Sequence, residues 1–160
     1  MTISLSQVEE AQAAWCAGLV RIASAYKSGA DFRSEAAAVV DELYDYANGT
    51  VFFKPTLAHG NNTFRCTRDG AISYFVGGNE NYPEDTGFAL KGWTRVSFDN
   101  NAAENGIQIH GEIAITMGNV YLYDDHGMET RVDKTFVFRR CGDGKLRLCV
   151  HKSALPYYPA

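Results

Sequence analysis

"VYLYDDHGMETRVDKTFVFRRCGDGKLRLCVHKS", Val120 to Ser153, reads as strand, turn, strand, turn, strand. In its middle run Thr130, Val132, Lys134, Phe136 and Phe138 alternate with Glu129, Arg131, Asp133, Thr135 and Val137. That period of two marks a strand with one buried face. "DDHG" and "CGDG" supply turn residues on either side of it. In the last run Leu146, Leu148 and Val150 share one face, and His151 and Ser153 fall on the opposite one, just before Pro156. That pair is either the plain end of a strand or half of an active site.

The same alternation extends backward. Ile107, Ile109, Gly111, Ile113 and Ile115 alternate with Gln108, His110, Glu112, Ala114 and Thr116, which predicts one half-buried strand. It breaks at Gly118 and resumes over Val120 to Tyr123, and Trp93 to Phe98 forms another strand. Before the strands the period is helical. Ser6 and Glu9 form an S-x-x-E capping box, and Val8, Ala11, Trp15, Leu19, Ile22 and Tyr26 line one helical face. "SGAD" ends that helix, Asp31 caps the next, and Phe32, Ala36, Val39, Leu43 and Tyr46 repeat the stripe until Asn48-Gly49 stops it. Between helices and strands, "TVFFKPT" is a short apolar run and "AISYFV" an apolar element followed by a long loop. Helices first and long strands after predict an α+β fold in which N-terminal helices pack on a strongly curved antiparallel sheet. Such a cone leaves a pocket between the helices and the concave sheet face.

The 160 residues fit a single domain spanning positions 1–160, and 46% hydrophobic with 21% charged residues is an ordinary globular composition. A net charge of -4 with scattered Lys and Arg argues against nucleic acid as a partner. No segment reaches the roughly 20 apolar residues of a membrane span, so no membrane is expected. The start "MTISLSQVEEAQ" has neither a basic nor an apolar leader region. The reading is therefore a cytoplasmic protein, or an organellar (plastid) one whose targeting peptide has been removed. Cys16, Cys66, Cys141 and Cys149 form no C-x-x-C pair, which points to free thiols.

Few chemical motifs stand out. His59, His110, His126 and His151 show no metal-ligand spacing; His110 and Glu112 share a face but lack a third ligand. There is no G-x-S-x-G and no G-x-G-x-x-G. What remains is a set of hydroxyls and one imidazole: Thr56 after Pro55, Tyr74 inside an apolar element, and the His151/Ser153 pair.

Five stretches, "VFFKPT", "FRCTRDGAISYFVGG", "EDTGFALKGW", "AITMGNVYLYDDHGMETRVDKTFVF" and "HKSALPY", together resemble the iota-class carbonic anhydrases of the SnoaL-like, NTF2-like fold. The resemblance runs from the first helix to Tyr157. It implies the cone-shaped fold and the reversible hydration of carbon dioxide to bicarbonate, in a bacterial and algal branch described as working without metal or other cofactor. A diatom relative is described as using manganese. By resemblance the catalytic residues are Thr56, Tyr74, His151 and Ser153. The tail departs from the family's H-H-S-S-x-P: Lys152 replaces a His and Ala154 a Ser, and both alternate away from the site pair.

In this reading the hydroxyls of Thr56, Tyr74 and Ser153 hold water and carbon dioxide. His151 accepts or shuttles the proton, or instead orients Ser153 or Tyr74. Apolar walls are expected from Phe52, Phe75, Trp93 or Phe138. The small-molecule partner is carbon dioxide or bicarbonate, and a homodimer is expected. Two other readings fit the same fold. One is a non-catalytic NTF2-like binding or assembly module, since the kinase association domain of this fold has a similar His-Ser-Pro tail. The other is a SnoaL-like isomerase or cyclase, with Glu112 or Asp133 as candidate base.

Overall fold

The computed structural model describes residues 1–101 and 105–160. Helices α1 (Leu5–Ser28) and α2 (Phe32–Leu43) come first, then β1 (Phe52–Lys54), α3 (Arg68–Val76), β2 (Trp93–Asp99), β3 (Ile107–His110), β4 (Ile113–Asp124), β5 (Glu129–Arg140) and β6 (Leu146–Ala154). The sheet runs β1-β6-β5-β4-β2, with β3 also paired to β4. All pairings are antiparallel except β1 with β6, so the sheet is mixed where the sequence suggested an antiparallel one. The helices cover one face of this open, curved sheet.

α1 begins two residues earlier than its sequence signal. Ser4, not Ser6, is the N-cap, and Gln7 completes the capping box. Ser6 instead donates to Glu10 from within the first turn. Gln and Glu are equivalent in this motif, so the local pattern had two registers and the backbone took the first. Asp31 caps α2 through the Ser34 N–H. α2 stops at Leu43, short of Tyr46, because Tyr44 turns extended and bridges to Leu148 of β6. Asn48-Gly49 closes only a following single turn, Tyr46–Asn48.

The isoleucine run is two strands. Gly111, at a φ of 62°, turns β3 back onto β4, so Ile109 lies opposite Ala114 and Ile107 opposite Thr116. Strict alternation across a two-residue turn hides the turn. Gly118, by contrast, does not interrupt β4. A Cβ there would stand 2.2 Å from the Asp99 carbonyl oxygen of β2, so glycine permits the strands to approach.

β6 carries the correction that matters most. Val137 pairs with Val150, but Phe138 pairs with Leu148, so Cys149 is an extra residue on β6. This bulge reverses the parity of the strand. Leu148 points into the core and Val150 outward, while His151 and Ser153 return to the inner face with Leu148. The site pair therefore shares a face with Leu148 and leaves Val150, and it stands directly opposite Phe136 and Lys134 of β5.

Candidate active site

Three segments bring the site together. Pairing of β1 beside β6 sets Phe53 against His151, and the chain then leaves the sheet at Pro55 to deliver Thr56. α3, capped by Thr67 through the Gly70 N–H, presents Tyr74 from the other side. β5 and β6 supply Lys134, His151 and Ser153 in register.

Thr56 Oγ1 and Ser153 Oγ lie 2.6 Å apart. Tyr74 stands at the outer side of this pair, its hydroxyl accepting the Leu57 N–H at 3.0 Å. Burial pushes the Tyr74 phenol well above its usual range, against the pull of the Leu57 N–H and the Thr56 hydroxyl. Tyr74 and Leu57 also line a cleft of about 220 Å³, with Ala58, His59, Phe88 and Lys91 among its walls. Thr56 directly precedes Leu57 of the cleft wall, whereas Ser153 itself has no exposed surface.

His151 sits deeper. Phe53 stacks on it at 4.4 Å between ring centroids, and Trp15 and Phe136 meet it edge-on. Its Nδ1 bonds the Tyr44 hydroxyl at 2.8 Å, and its Nε2 faces Lys134 Nζ at 3.0 Å. Burial, followed by the charge of Lys134, lowers the imidazole pKa well below the ordinary histidine range. His151 is therefore neutral at pH 7. The hydrogen bonds of its ring run to Tyr44 and Lys134, not to Thr56, Tyr74 or Ser153.

The structure thus brings Thr56, Tyr74 and Ser153 into one cluster and sets His151 behind it, with Lys134 as the link. Lys134 is only 3% exposed, and its Nζ donates to Ser153 Oγ at 3.0 Å. Its third direction is taken by the Trp15 ring, 4.5 Å from Nζ to centroid. Sequence reading passed over Lys134, Tyr44 and Trp15. The signal for Lys134 was nonetheless present: a lysine occupies the apolar side of the Val132, Phe136, Phe138 alternation.

The apolar surroundings also differ from expectation. Phe52 is 66% exposed and points away; its neighbour Phe53 takes the inner position. Burying a phenylalanine ring contributes about 1.5–3 kcal/mol, so the inner slot matters to stability as well as to polarity. Phe75 packs on Phe53, Trp93 on Phe88 at the cleft, and Phe138 on Phe136. Glu112 and Asp133 are exposed, and neither reaches the cluster. The buried carboxylates Asp45 and Asp85 are paired with Arg139 and Arg65. Among the described residues no three His, Cys, Asp or Glu side chains converge in a metal-binding group, and His110 and Glu112 gain no third ligand. No helix is long and apolar enough to cross a membrane among the described residues.

Comparison with known proteins agrees with this architecture. A family model described as metal-independent carbonic anhydrase matches residues 6–155. A metal-independent carbonic anhydrase of Nostoc sp. is 47% identical over 157 residues, covering 97% of this chain and 75% of the relative. The crystal structure of a cyanobacterial iota-carbonic anhydrase complexed with bicarbonate superposes with a TM-score of 0.94 at 45% identity, covering 99% of this chain and 95% of that one. More distant structures share the fold alone. An NTF2-like protein of Salmonella enterica has a TM-score of 0.59 at 12% identity, covering 97% of this chain and 92% of its own. A calcium/calmodulin-dependent kinase II association domain from Xanthomonas campestris has 0.56 at 19%, covering 91% and 82%. With the model spanning nearly the whole sequence and a relative this close, the chain belongs to the family of metal-independent carbonic anhydrases.

Proposed function

We propose that this carbonic anhydrase hydrates carbon dioxide at the cluster of Thr56, Tyr74 and Ser153, with His151 and its neighbours holding the cluster from behind. The observation that carries the reading is the buried Thr56–Ser153 hydroxyl pair, joined at 2.6 Å beside Tyr74, which lines the neighbouring cleft. Attack of water on carbon dioxide needs a held water, donors for the charge that develops on the carbon dioxide oxygens, and an acceptor for one proton. Each hydroxyl both donates and accepts, so the three can hold the water and meet the developing carboxylate. Phe53, Phe75 and Phe88 keep the surroundings apolar, which suits an uncharged substrate. The bicarbonate bound by the cyanobacterial relative is the product this arrangement would release. An isomerase or cyclase would need a free carboxylate base at the pocket. The candidates Glu112 and Asp133 lie outside it; of the two carboxylates in the cleft wall, Asp85 is held by Arg65 and Ser73, and Glu84 pairs with Arg65 at 3.7 Å.

Stopped-flow hydration on chelator-treated protein tests the reading. Activity is expected to survive chelation, and Tyr74→Phe is expected to lower it by about tenfold or more, through loss of one positioned hydroxyl. An inactive chelated enzyme revived by added metal, or a fully active Tyr74→Phe, would refute it.

We also infer a homodimer formed through the outer face beside β1. Phe52 and Phe64 are exposed there and, with Val150 and Cys66, line an apolar recess of about 440 Å³ flanked by Lys54 and Lys152. A large exposed apolar patch is a docking surface more often than an ordinary surface feature. Sedimentation is expected to give a dimer that Phe52→Glu/Phe64→Glu dissociates; a monomeric parent would sink the inference.

A further inference from the structure

We propose that Lys134 takes up the proton released when water adds to carbon dioxide, receiving it through the Ser153 hydroxyl. The role rests on the hydroxyl-cluster reading above and extends it with a proton acceptor. Lys134 acts through Ser153 and is in that sense a positioning residue.

The geometry around Nζ is that of a group that exchanges one proton. Its three directions are filled by Ser153 Oγ at 3.0 Å, His151 Nε2 at 3.0 Å and the Trp15 face. As an ammonium, Lys134 donates to all three. As an amine, it keeps its bond to His151 and offers its lone pair to the Ser153 hydroxyl. His151 needs no second proton in either state: Nε2 accepts from Lys134, and Nδ1–H donates to Tyr44, whose oxygen also accepts the Trp15 indole N–H at 2.9 Å. Trp15, Tyr44 and His151 thus fix the amine and select its tautomeric partner.

The charges facing Nζ favour an easily lost proton. From β1 Lys54 adds a second cation, its own Nζ held by the carbonyls of Thr56 and Ser153. From α1 come the Trp15 ring and the Cys16 thiol, which burial pushes up to about 11 and so keeps neutral. From β6 come neutral His151 and Ser153, and from β4 the register partner is Gly118. None of these is a carboxylate. Burial, opposed by Cys16 and reinforced by Lys54, pushes the Lys134 pKa down to about 7.

The step balances without another reactant. The water oxygen bonds to carbon, and one C=O electron pair moves onto a carbon dioxide oxygen. The water proton passes to the Thr56 hydroxyl as the Thr56 proton passes to Ser153 Oγ and that of Ser153 to the Nζ lone pair. Bicarbonate and a lysine ammonium result, and the ammonium opposes the new negative charge until the product leaves. Its proton then returns to solvent by way of Ser153 and Thr56.

The test uses the full chain with 15N-labelled lysine. Lys134 Nζ, assigned by its absence in Lys134→Met, is expected to titrate near neutral pH, and kcat for hydration to rise with pH over the same range. Lys134→Met should lose about 100-fold in kcat together with that pH limb. Lys134→Arg, which keeps the cation but has no neutral form, should be equally slow; a packing or charge role would instead be rescued by Arg. If Ser153→Ala is inactive while Lys134→Arg is active, the lysine role falls and the hydroxyl site stands. If Ser153→Ala is fully active, both fall. Should the Lys134 variants not fold, the parent protein decides: an Nζ that stays protonated up to about pH 10, the ordinary lysine range, overturns the proposal.

Discussion

Replacing Arg65 by Met is expected to destabilise the fold by about 3–5 kcal/mol, the cost of breaking a buried ion pair from one side. The Arg65 side chain has no exposed surface. Its guanidinium donates to Asp85 Oδ2 at 2.6 Å and Oδ1 at 2.7 Å, to the Gly70 carbonyl at 3.0 Å and, from Nε, to the Asn62 carbonyl at 2.8 Å. The Tyr82 ring covers it at 4.4 Å. Without the guanidinium, Asp85 keeps only the Ser73 hydroxyl, at 2.6 Å, against its buried charge. The pair ties the loop after β1 to α3 and to the segment that walls the cleft, so the loss is felt beside Tyr74. Urea unfolding monitored by circular dichroism measures it. The double variant Arg65→Met/Asp85→Leu should recover most of the loss, because the one carboxylate left without Arg65, Glu84, is partly exposed. A single variant within about 1 kcal/mol of the parent, the range of an exposed pair, would show that the network is not structural.

Ser153→Ala is expected to lower kcat/KM for carbon dioxide hydration by about 100-fold, the order seen when one preorganised donor is removed from a reacting site. Ser153 is the residue where the two halves of the cluster meet: Thr56 Oγ1 lies on one side and Lys134 Nζ on the other. Its loss leaves two buried polar groups each short of a partner, at about 1–3 kcal/mol. That cost should lower the unfolding midpoint without abolishing folding. Stopped-flow rates and far-ultraviolet circular dichroism on the same sample separate the two effects. Undiminished hydration by a folded Ser153→Ala would detach the hydroxyl pair from the chemistry.

The sequence made the layers legible because amphipathic helices and long alternating strands each bury one face by their own period. It was less informative wherever a tertiary contact decides. Tyr44 turns extended to pair with Leu148 and so cuts Tyr46 off from the helical stripe, and the Ile run folds back at Gly111 without breaking its alternation. Thr56, Tyr74, His151 and Ser153 came from resemblance, since their proximity across about a hundred residues is a property of the β1–β6 pairing and of α3. Lys134 could have been found from β5 alone, as the charged residue between Val132 and Phe136 on its apolar face. It carries no motif, and a lysine in a strand reads by default as solvated. Phe52 and Phe53 show the opposite difficulty: two identical neighbours, of which only the parallel pairing with His151 decides which turns inward.

The extra residue at Cys149 has a consequence for how such enzymes are compared. Which side chains of β6 face the interior is settled by counting residues from Leu148, not by the chemistry of the side chains. His151 and Ser153 belong to the interior because His151 stands three positions after Leu148, an odd separation where a regular strand would require an even one. An alignment that closes this position as a gap would still match every hydrophobic residue and yet turn the reactive face of the strand to the outside. The chain's arithmetic is thus part of its candidate site.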